Sequence, residues 1–135
     1  MKKRYIIDTN FLARILIKDN QSQLTEILDF IDTAIETNSI LFVDRLVTFE
    51  LFFILTGKIY QLNRLEIYEK LTSLLNISCF TFENRNLLEQ ALEIYKTNNL
   101  DFTDCFLIAR SLLEKSELQT FDKQAQKVFE ELKIS

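Results

Sequence analysis

Short apolar runs alternate with longer segments of helical periodicity along this chain of 135 residues, and the alternation restricts the folds it can adopt. Each run is too short to be an independent helix, and each is followed by a polar cluster and then a helical pattern. Continuous apolar composition is typical of parallel strands that helices cover on both faces. We therefore predict an α/β fold of three layers, α/β/α, with a central parallel sheet of four to five strands. The predicted strands lie in RYIID (4–8), SILFV (39–43), ISCFTF (77–82) and ELQTF (117–121).

The helical segments between these runs are recognised by apolar residues spaced three and four positions apart. No linker, low-complexity block or internal repeat interrupts the pattern, and proline is absent. A chain of this length suits one domain with a single core, so residues 1–135 are expected to form a single domain. The clearest helical patterns lie at 24–35, 63–76, 87–95 and 125–132.

Missing residue types exclude several kinds of catalytic site. The absence of histidine excludes Ser-His-Asp and Cys-His nucleophile systems and HExxH zinc sites. A single glycine, Gly57, excludes the phosphate-binding GxGxxG and GxxxxGK(S/T) loops. Cys79 and Cys105 lie far apart in apolar surroundings and are expected to be buried free thiols. Any catalysis must therefore use carboxylates, lysine, tyrosine, hydroxyl groups or a metal ion held by oxygen.

Charge and hydropathy indicate the class of protein and its location. No window approaches the roughly 18 unbroken apolar residues that a membrane helix needs. The start MKKRYIID lacks the apolar region and cleavage site of a secretory signal, so we expect a cytoplasmic protein with no membrane association. The net charge of −4 argues against nucleic-acid binding through bulk charge alone.

Acidic residues follow two of the predicted strands and begin three of the predicted helices. Asp8 ends the first strand, Asp101 and Asp104 lie in NNLDFTDCFLIARSLL, and Asp122 follows ELQTF. Each has a local explanation as a helix cap or capping-box residue. Glu50 lies in LVTFELFFIL, a helix that is apolar nearly all round and is expected to be buried. A buried carboxylate is costly unless a cation or a strong hydrogen bond meets it, although the side chain of Glu50 could also extend to a solvated edge.

As a set, these acids indicate a metal site. Ligands of an open α/β sheet bind outside the carboxyl ends of its strands, where Asp8 is expected. If the carboxylates converge, their mutual repulsion requires cations to neutralise it. Mg²⁺ or Mn²⁺ is expected, as one or two ions, because these hard cations take carboxylate oxygens and bind substrate phosphates.

Four segments of the chain resemble the PIN domain, the nuclease module of many VapC-type bacterial toxins. They are IIDTNFL, VTFELFFIL, LDFTDCFLIA and LQTFDKQA, in the family's order and spread over nearly the whole chain. The resemblance implies that Asp8, Glu50, Asp104 and Asp122 are the catalytic, metal-binding cluster. It also implies supporting roles for Thr9, Asn10, Asp101 and Thr120. Two features depart from the family: the chain ends at LKIS, where a fifth strand is expected to be vestigial, and proline is absent with glycine nearly so, which leaves the loop shapes open.

The function implied by this resemblance is metal-dependent hydrolysis of phosphodiester bonds in single-stranded or structured RNA. Family members are often dimers held inactive by a small antitoxin, so a homodimer and an antitoxin partner are expected. RNA requires local positive charge, and Arg14, Arg45 and Arg110 are candidates to contact it, with solvated surface charge as the alternative for each.

Three other functions are considered. One is a non-catalytic PIN-like scaffold or RNA-binding module, which would be expected to lose such costly acids. A phosphoryl-accepting receiver domain needs an aspartate after its central strand, where this chain has ISCFTFENRN. A haloacid-dehalogenase-type phosphatase needs DxD after the first strand, where Asn10 takes the second position.

Overall fold

The computed structural model describes all residues, 1–135, and the chain divides into two compact units, Met1–Glu83 and Asn84–Ser135. The first unit contains three strands and four helices. In chain order they are β1 (Arg4–Ile6), α1 (Thr9–Leu16), α2 (Gln21–Glu36), β2 (Ile40–Val43), α3 (Arg45–Thr56), α4 (Arg64–Leu75) and β3 (Phe80–Phe82). The second unit is helical, with α5 (Arg85–Thr97), α6 (Phe102–Glu114) and α7 (Lys123–Lys133).

The three strands form one parallel sheet in the order β1-β2-β3. Tyr5 lies beside Leu41, which lies beside Phe80, so these side chains share one face of the sheet. That face is the buried one, because Leu41 and Phe80 are almost inaccessible to solvent. The parallel α/β sheet predicted from the apolar runs is confirmed for these three strands.

The opposite face of the sheet differs from the prediction that helices cover both faces. Arg4 and Thr81 are exposed there, and Ile6 is 72% exposed. The guanidinium group of Arg4 lies 4.7 Å from the centre of the Phe42 ring and shields part of that ring from water. Apolar composition alone therefore did not distinguish a strand buried on one face from a strand buried on both.

The predicted fourth strand, ELQTF at 117–121, is absent, so the sheet has three strands and not four to five. Polar contacts fix the segment as a loop before α7. Glu117 pairs with Nζ of Lys133 at 2.7 Å, and the Thr120 hydroxyl accepts the N–H of Asp122 at 3.0 Å. Phe121 is fully exposed, so the apolar residue that suggested a buried strand is not buried.

The predicted helices are confirmed, and their apolar faces form the core of each unit. In the first unit, α1 packs against α2 and α3. In the second, α6 packs against α5 and α7, with Cys105, Ile108 and Ala109 of α6 completely buried. No helix combines the length and the apolar composition that crossing a membrane requires.

Candidate functional site

Asp8 lies at the carboxyl end of β1 and begins α1. The N–H of Ile7 donates to the carbonyl oxygen of Phe42 at 3.0 Å, which holds the chain against β2 up to the residue before Asp8. Oδ1 of Asp8 then accepts the N–H of Phe11 at 2.9 Å, as a helix cap does. The side chain is exposed, and no hydrogen bond uses Oδ2. Asp8 is therefore a cap that retains one carboxylate oxygen for a ligand.

Two further acids, Asp44 and Glu83, occupy the same edge of the sheet and were missed in the sequence. Asp44 follows β2, and its Oδ1 accepts the N–H of Leu46 at 2.8 Å. Glu83 follows β3, and its Oε1 accepts the N–H of Arg45 at 2.8 Å while its own N–H donates to Val43. Both carboxylates bind amides at the start of α3, so they fix where that helix begins. Their position directly after a strand, like that of Asp8, was the available signal.

Glu50 is exposed, and the prediction that it is a buried carboxylate is wrong. The buried residues of α3 are Thr48, Leu51, Phe52 and Leu55, which follow helical spacing along one side. Glu50 lies on the other side, where Leu46 is 75% exposed and Phe53 is 80% exposed. The burial cost that pointed to a cation at Glu50 therefore does not exist. Apolar residues on the exposed side of α3 made the helix look buried all round.

The supporting residues of the first unit differ in their environments. Thr9 is buried, whereas Asn10 is exposed at the rim of a groove between α1 and α2. Arg14 lies in the same groove, with its Nη1 3.3 Å from Oδ1 of Asp19. The groove has a volume of about 340 Å³ and is lined by Asp8, Asn10, Phe11, Arg14, Gln23, Glu26 and Ile27.

The second unit brings three of the predicted acids within electrostatic reach of one another. Asp104 lies in the first turn of α6, Asp101 precedes that helix, and Asp122 precedes α7. The pKa of Asp104 is raised by partial burial and by the negative charges of Asp122 and Asp101. The carboxylates of Asp101 and Asp122 are therefore both close enough to Asp104 to repel its charge.

Hydrogen bonding separates these acids into a cap and two carboxylates without partners. Oδ1 of Asp122 accepts the N–H of Ala125 at 3.0 Å, which confirms its local role as a helix cap. Asp101 makes no side-chain cap hydrogen bond, so the capping box predicted for Asp101 and Asp104 is absent. The positive ends of α6 and α7 lie beside these acids and favour their negative charge.

Two of the arginines predicted to contact RNA, Arg14 and Arg110, already have partners within their own units; Arg14 pairs with Asp19. Nε of Arg110 lies 2.8 Å from Oε2 of Glu114, one turn later on α6, in an exposed ion pair. Arg45 is the first residue of α3, and its side chain is partly buried. Exposed pairs of this kind contribute little stability, so a phosphate can compete for the guanidinium groups.

The chemistry of these side chains fits a divalent cation. No group of three acidic or cysteine side chains within either unit is positioned to hold a metal ion. Mg²⁺, however, keeps several water ligands and is commonly held by only one or two carboxylates together with substrate phosphates. Asp101 and Asp104 offer oxygen ligands without hydrogen bonds, and a cation beside Asp104 would relieve the repulsion that raises its pKa.

Acids that follow the strands of a parallel α/β sheet lie at the edge where the ligands of such sheets bind, and their carboxylates are ligands that suit divalent metal ions. The sequence model of the PIN domain matches residues 5–131, and the chain belongs to the PIN domain family. PIN domains are generally metal-dependent nucleases that act on RNA, and they typically use divalent metal ions. No curated protein and no solved structure matches the chain significantly.

Proposed function

We propose that this protein is a Mg²⁺- or Mn²⁺-dependent endoribonuclease, the toxin of a VapC-type toxin–antitoxin pair acting in the cytoplasm. Its substrate is single-stranded or structured RNA, whose phosphodiester bonds it hydrolyses. The observation that carries the proposal is the group Asp101, Asp104 and Asp122, in which Asp104 bears the repulsion of two neighbouring carboxylates. Carboxyl groups with a raised pKa and a charged neighbour are concentrated at catalytic and ligand-binding sites.

The metal ligands in this proposal are Asp8, Glu50, Asp104 and Asp122. Four carboxylates balance the charge of two divalent ions, so the site does not repel RNA once it is loaded. When bound, the metal lowers the pKa of a water molecule and stabilises the charge that develops on the phosphate. The absence of histidine is consistent with this chemistry, because a bound metal would activate the water and no histidine would be needed to remove its proton.

The supporting residues position these ligands. The Thr120 hydroxyl accepts the N–H of Asp122, and the Asp122 carboxylate accepts the N–H of Ala125, so two hydrogen bonds orient this acid. Asp101 adds negative charge beside Asp104, which strengthens the attraction for a cation. Thr9 and Asn10 continue the turn that Asp8 begins.

Arg14, Arg45 and Arg110 are proposed to contact the RNA. Arg110 would exchange Glu114 for phosphate oxygens, which bind a guanidinium group through charge-assisted hydrogen bonds. Arg14 keeps its ion pair with Asp19 and has further N–H donors for the RNA. RNA binding should therefore be weak without metal and should weaken further as salt concentration rises.

A homodimer and a small antitoxin are the proposed protein partners. The exposed apolar side chains of α3, Leu46 and Phe53, are surface of the kind that protein partners cover. A gene for a small DNA-binding protein directly upstream would support the antitoxin assignment.

The nuclease proposal is tested by incubating RNA and Mn²⁺ in separate reactions with the native protein, the Asp8→Asn variant and the Asp104→Asn variant. The matched control is Asp32→Asn, which removes the same charge from an exposed position on α2. The native protein and the control should cleave RNA, whereas both test variants, and any of the proteins in EDTA, should not. Equal cleavage by all proteins, or cleavage without metal, would refute the mechanism. Inertness of the native protein on many RNAs would favour the scaffold or RNA-binding alternative, which the exposure of Glu50 also favours.

A further inference from the structure

The groove between α1 and α2, called here the α1–α2 groove, begins at Asp8 and is lined by side chains unlike those of a metal site. Besides Asp8, it contains two amides, one guanidinium group, one carboxylate, one aromatic ring and one aliphatic side chain. These belong to Asn10, Gln23, Arg14, Glu26, Phe11 and Ile27. Its volume of about 340 Å³ lies within the range of small-molecule sites.

The polar side chains of the α1–α2 groove are accessible to a ligand, because those of Asn10, Gln23 and Glu26 are exposed to solvent. The side-chain amides of Asn10 and Gln23 and the carboxylate of Glu26 make no hydrogen bond or ion pair within the protein. Arg14 uses Nη1 for Asp19, which orients the guanidinium group and leaves its other N–H donors for a ligand. The groove therefore presents donors and acceptors together beside Asp8.

The apolar side chains of the groove suit a flat ring. Phe11 is half-buried and meets the Phe30 ring edge to face, with 5.8 Å between ring centres. Phe30 in turn contacts Tyr5 of β1 at 4.9 Å, so the position of Phe11 is fixed by two aromatic contacts in series. Ile27 is buried and forms an apolar floor. Protein aromatic rings held in this way bind unstacked bases of single-stranded RNA.

We propose that the α1–α2 groove binds a guanine base of the RNA substrate, next to the phosphate that is cleaved. Guanine has two neighbouring donors, N1–H and N2–H, which match the two oxygens of the Glu26 carboxylate. Its O6 and N7 atoms are acceptors that match the guanidinium group of Arg14. Adenine lacks a donor at N1, and uracil and cytosine each offer only one donor on this edge. The position of the base beside the cleaved phosphate rests on the proposed nuclease function, because Asp8 is the shared residue.

The first test maps cleavage positions in a random-sequence RNA library with Mn²⁺. The native protein should enrich guanine at one fixed distance from the cleaved bond, and Glu26→Gln should reduce that enrichment by roughly tenfold. Asp32→Asn, which removes an identical charge from α2 outside the groove, should leave the enrichment unchanged. Cleavage without guanine enrichment, or equal enrichment in Glu26→Gln, would overturn the proposal.

The second test separates base binding from catalysis. Guanosine monophosphate in EDTA should shift backbone amide NMR signals of α1 and α2 in the native protein, and adenosine monophosphate, with the same phosphate, should not. Glu26→Gln should lose the guanosine monophosphate response. Binding of guanosine monophosphate by a protein that cleaves no RNA would support the base site and refute the nuclease. Cleavage by a protein that does not respond to guanosine monophosphate would refute the base site alone.

Discussion

Replacing Asp8 by asparagine or by alanine separates its role as a helix cap from its proposed role as a metal ligand. Oδ1 of Asp8 accepts the N–H of Phe11 at 2.9 Å, and asparagine offers an equivalent acceptor at this position. Asp8→Asn should therefore change the free energy of unfolding by less than about 0.5 kcal/mol, the part due to the charge at the helix start. Asp8→Ala removes the acceptor and should cost about 1 kcal/mol.

Catalysis should not distinguish the two replacements, because neither can supply an anionic oxygen to a metal ion. Loss of a residue that only supports a metal ligand typically costs 10–100-fold, so loss of a ligand should reduce Mn²⁺-dependent cleavage at least about 100-fold in both variants. Urea denaturation and RNA cleavage are measured on the same preparations. An Asp8→Asn protein that cleaves RNA at the native rate, with activity lost only in Asp8→Ala, would show that Asp8 acts only as a cap.

Three further predictions follow from single side chains. The raised pKa of Asp104 means that its ionised form destabilises the folded protein, a cost present above that pKa and lost on protonation. Asp104→Asn should therefore increase metal-free stability at neutral pH by roughly 0.5 kcal/mol and abolish stabilisation by Mg²⁺. Lower stability of this variant in urea denaturation would contradict the prediction. Thr48 has a buried hydroxyl group without a hydrogen-bond partner. Thr48→Val should therefore leave the free energy of unfolding unchanged or raise it by up to about 1 kcal/mol. A decrease of more than about 1 kcal/mol would show that the hydroxyl group makes a hydrogen bond in the folded protein. Both cysteines are buried, and burial raises the pKa of Cys79. A thiol reagent at pH 8 should therefore label neither Cys79 nor Cys105 in the native protein, and should label both in denaturant. Rapid labelling of the native protein would be inconsistent with this burial.

The helices and three strands could be predicted from the sequence because each has a local signal. Helical spacing of apolar residues marks the buried face of a helix regardless of its partners. The fourth strand could not be predicted, because a strand requires a neighbour that supplies hydrogen bonds. ELQTF and FTF have similar composition, but Phe82 of the second is buried beside Val43, whereas Phe121 of the first is fully exposed.

The acids of the candidate site could be predicted where the neighbouring sequence marks a helix start. They could not be predicted where the role depends on which side of a helix is buried. Asp8 and Asp122 follow apolar runs and begin helices, as expected, and the structure adds that both are caps. The prediction that Glu50 is buried was wrong because the exposed side of α3 is itself apolar, so composition could not identify the buried side. Asp44 and Glu83 were missed because no catalytic motif includes them, although each directly follows a strand and Asp44 also begins α3.

Asp8, Glu50, Asp104 and Asp122 are proposed to bind divalent metal jointly. Electron paramagnetic resonance of Mn²⁺ measures free ion directly, and titration of the native protein gives the number of bound ions and their affinity. One or two ions should bind to the native protein and to Asp32→Asn, and asparagine or glutamine at any of the four positions should lower the affinity at least about tenfold. Native affinity in all four variants, or no Mn²⁺ bound by the native protein, would contradict this proposal.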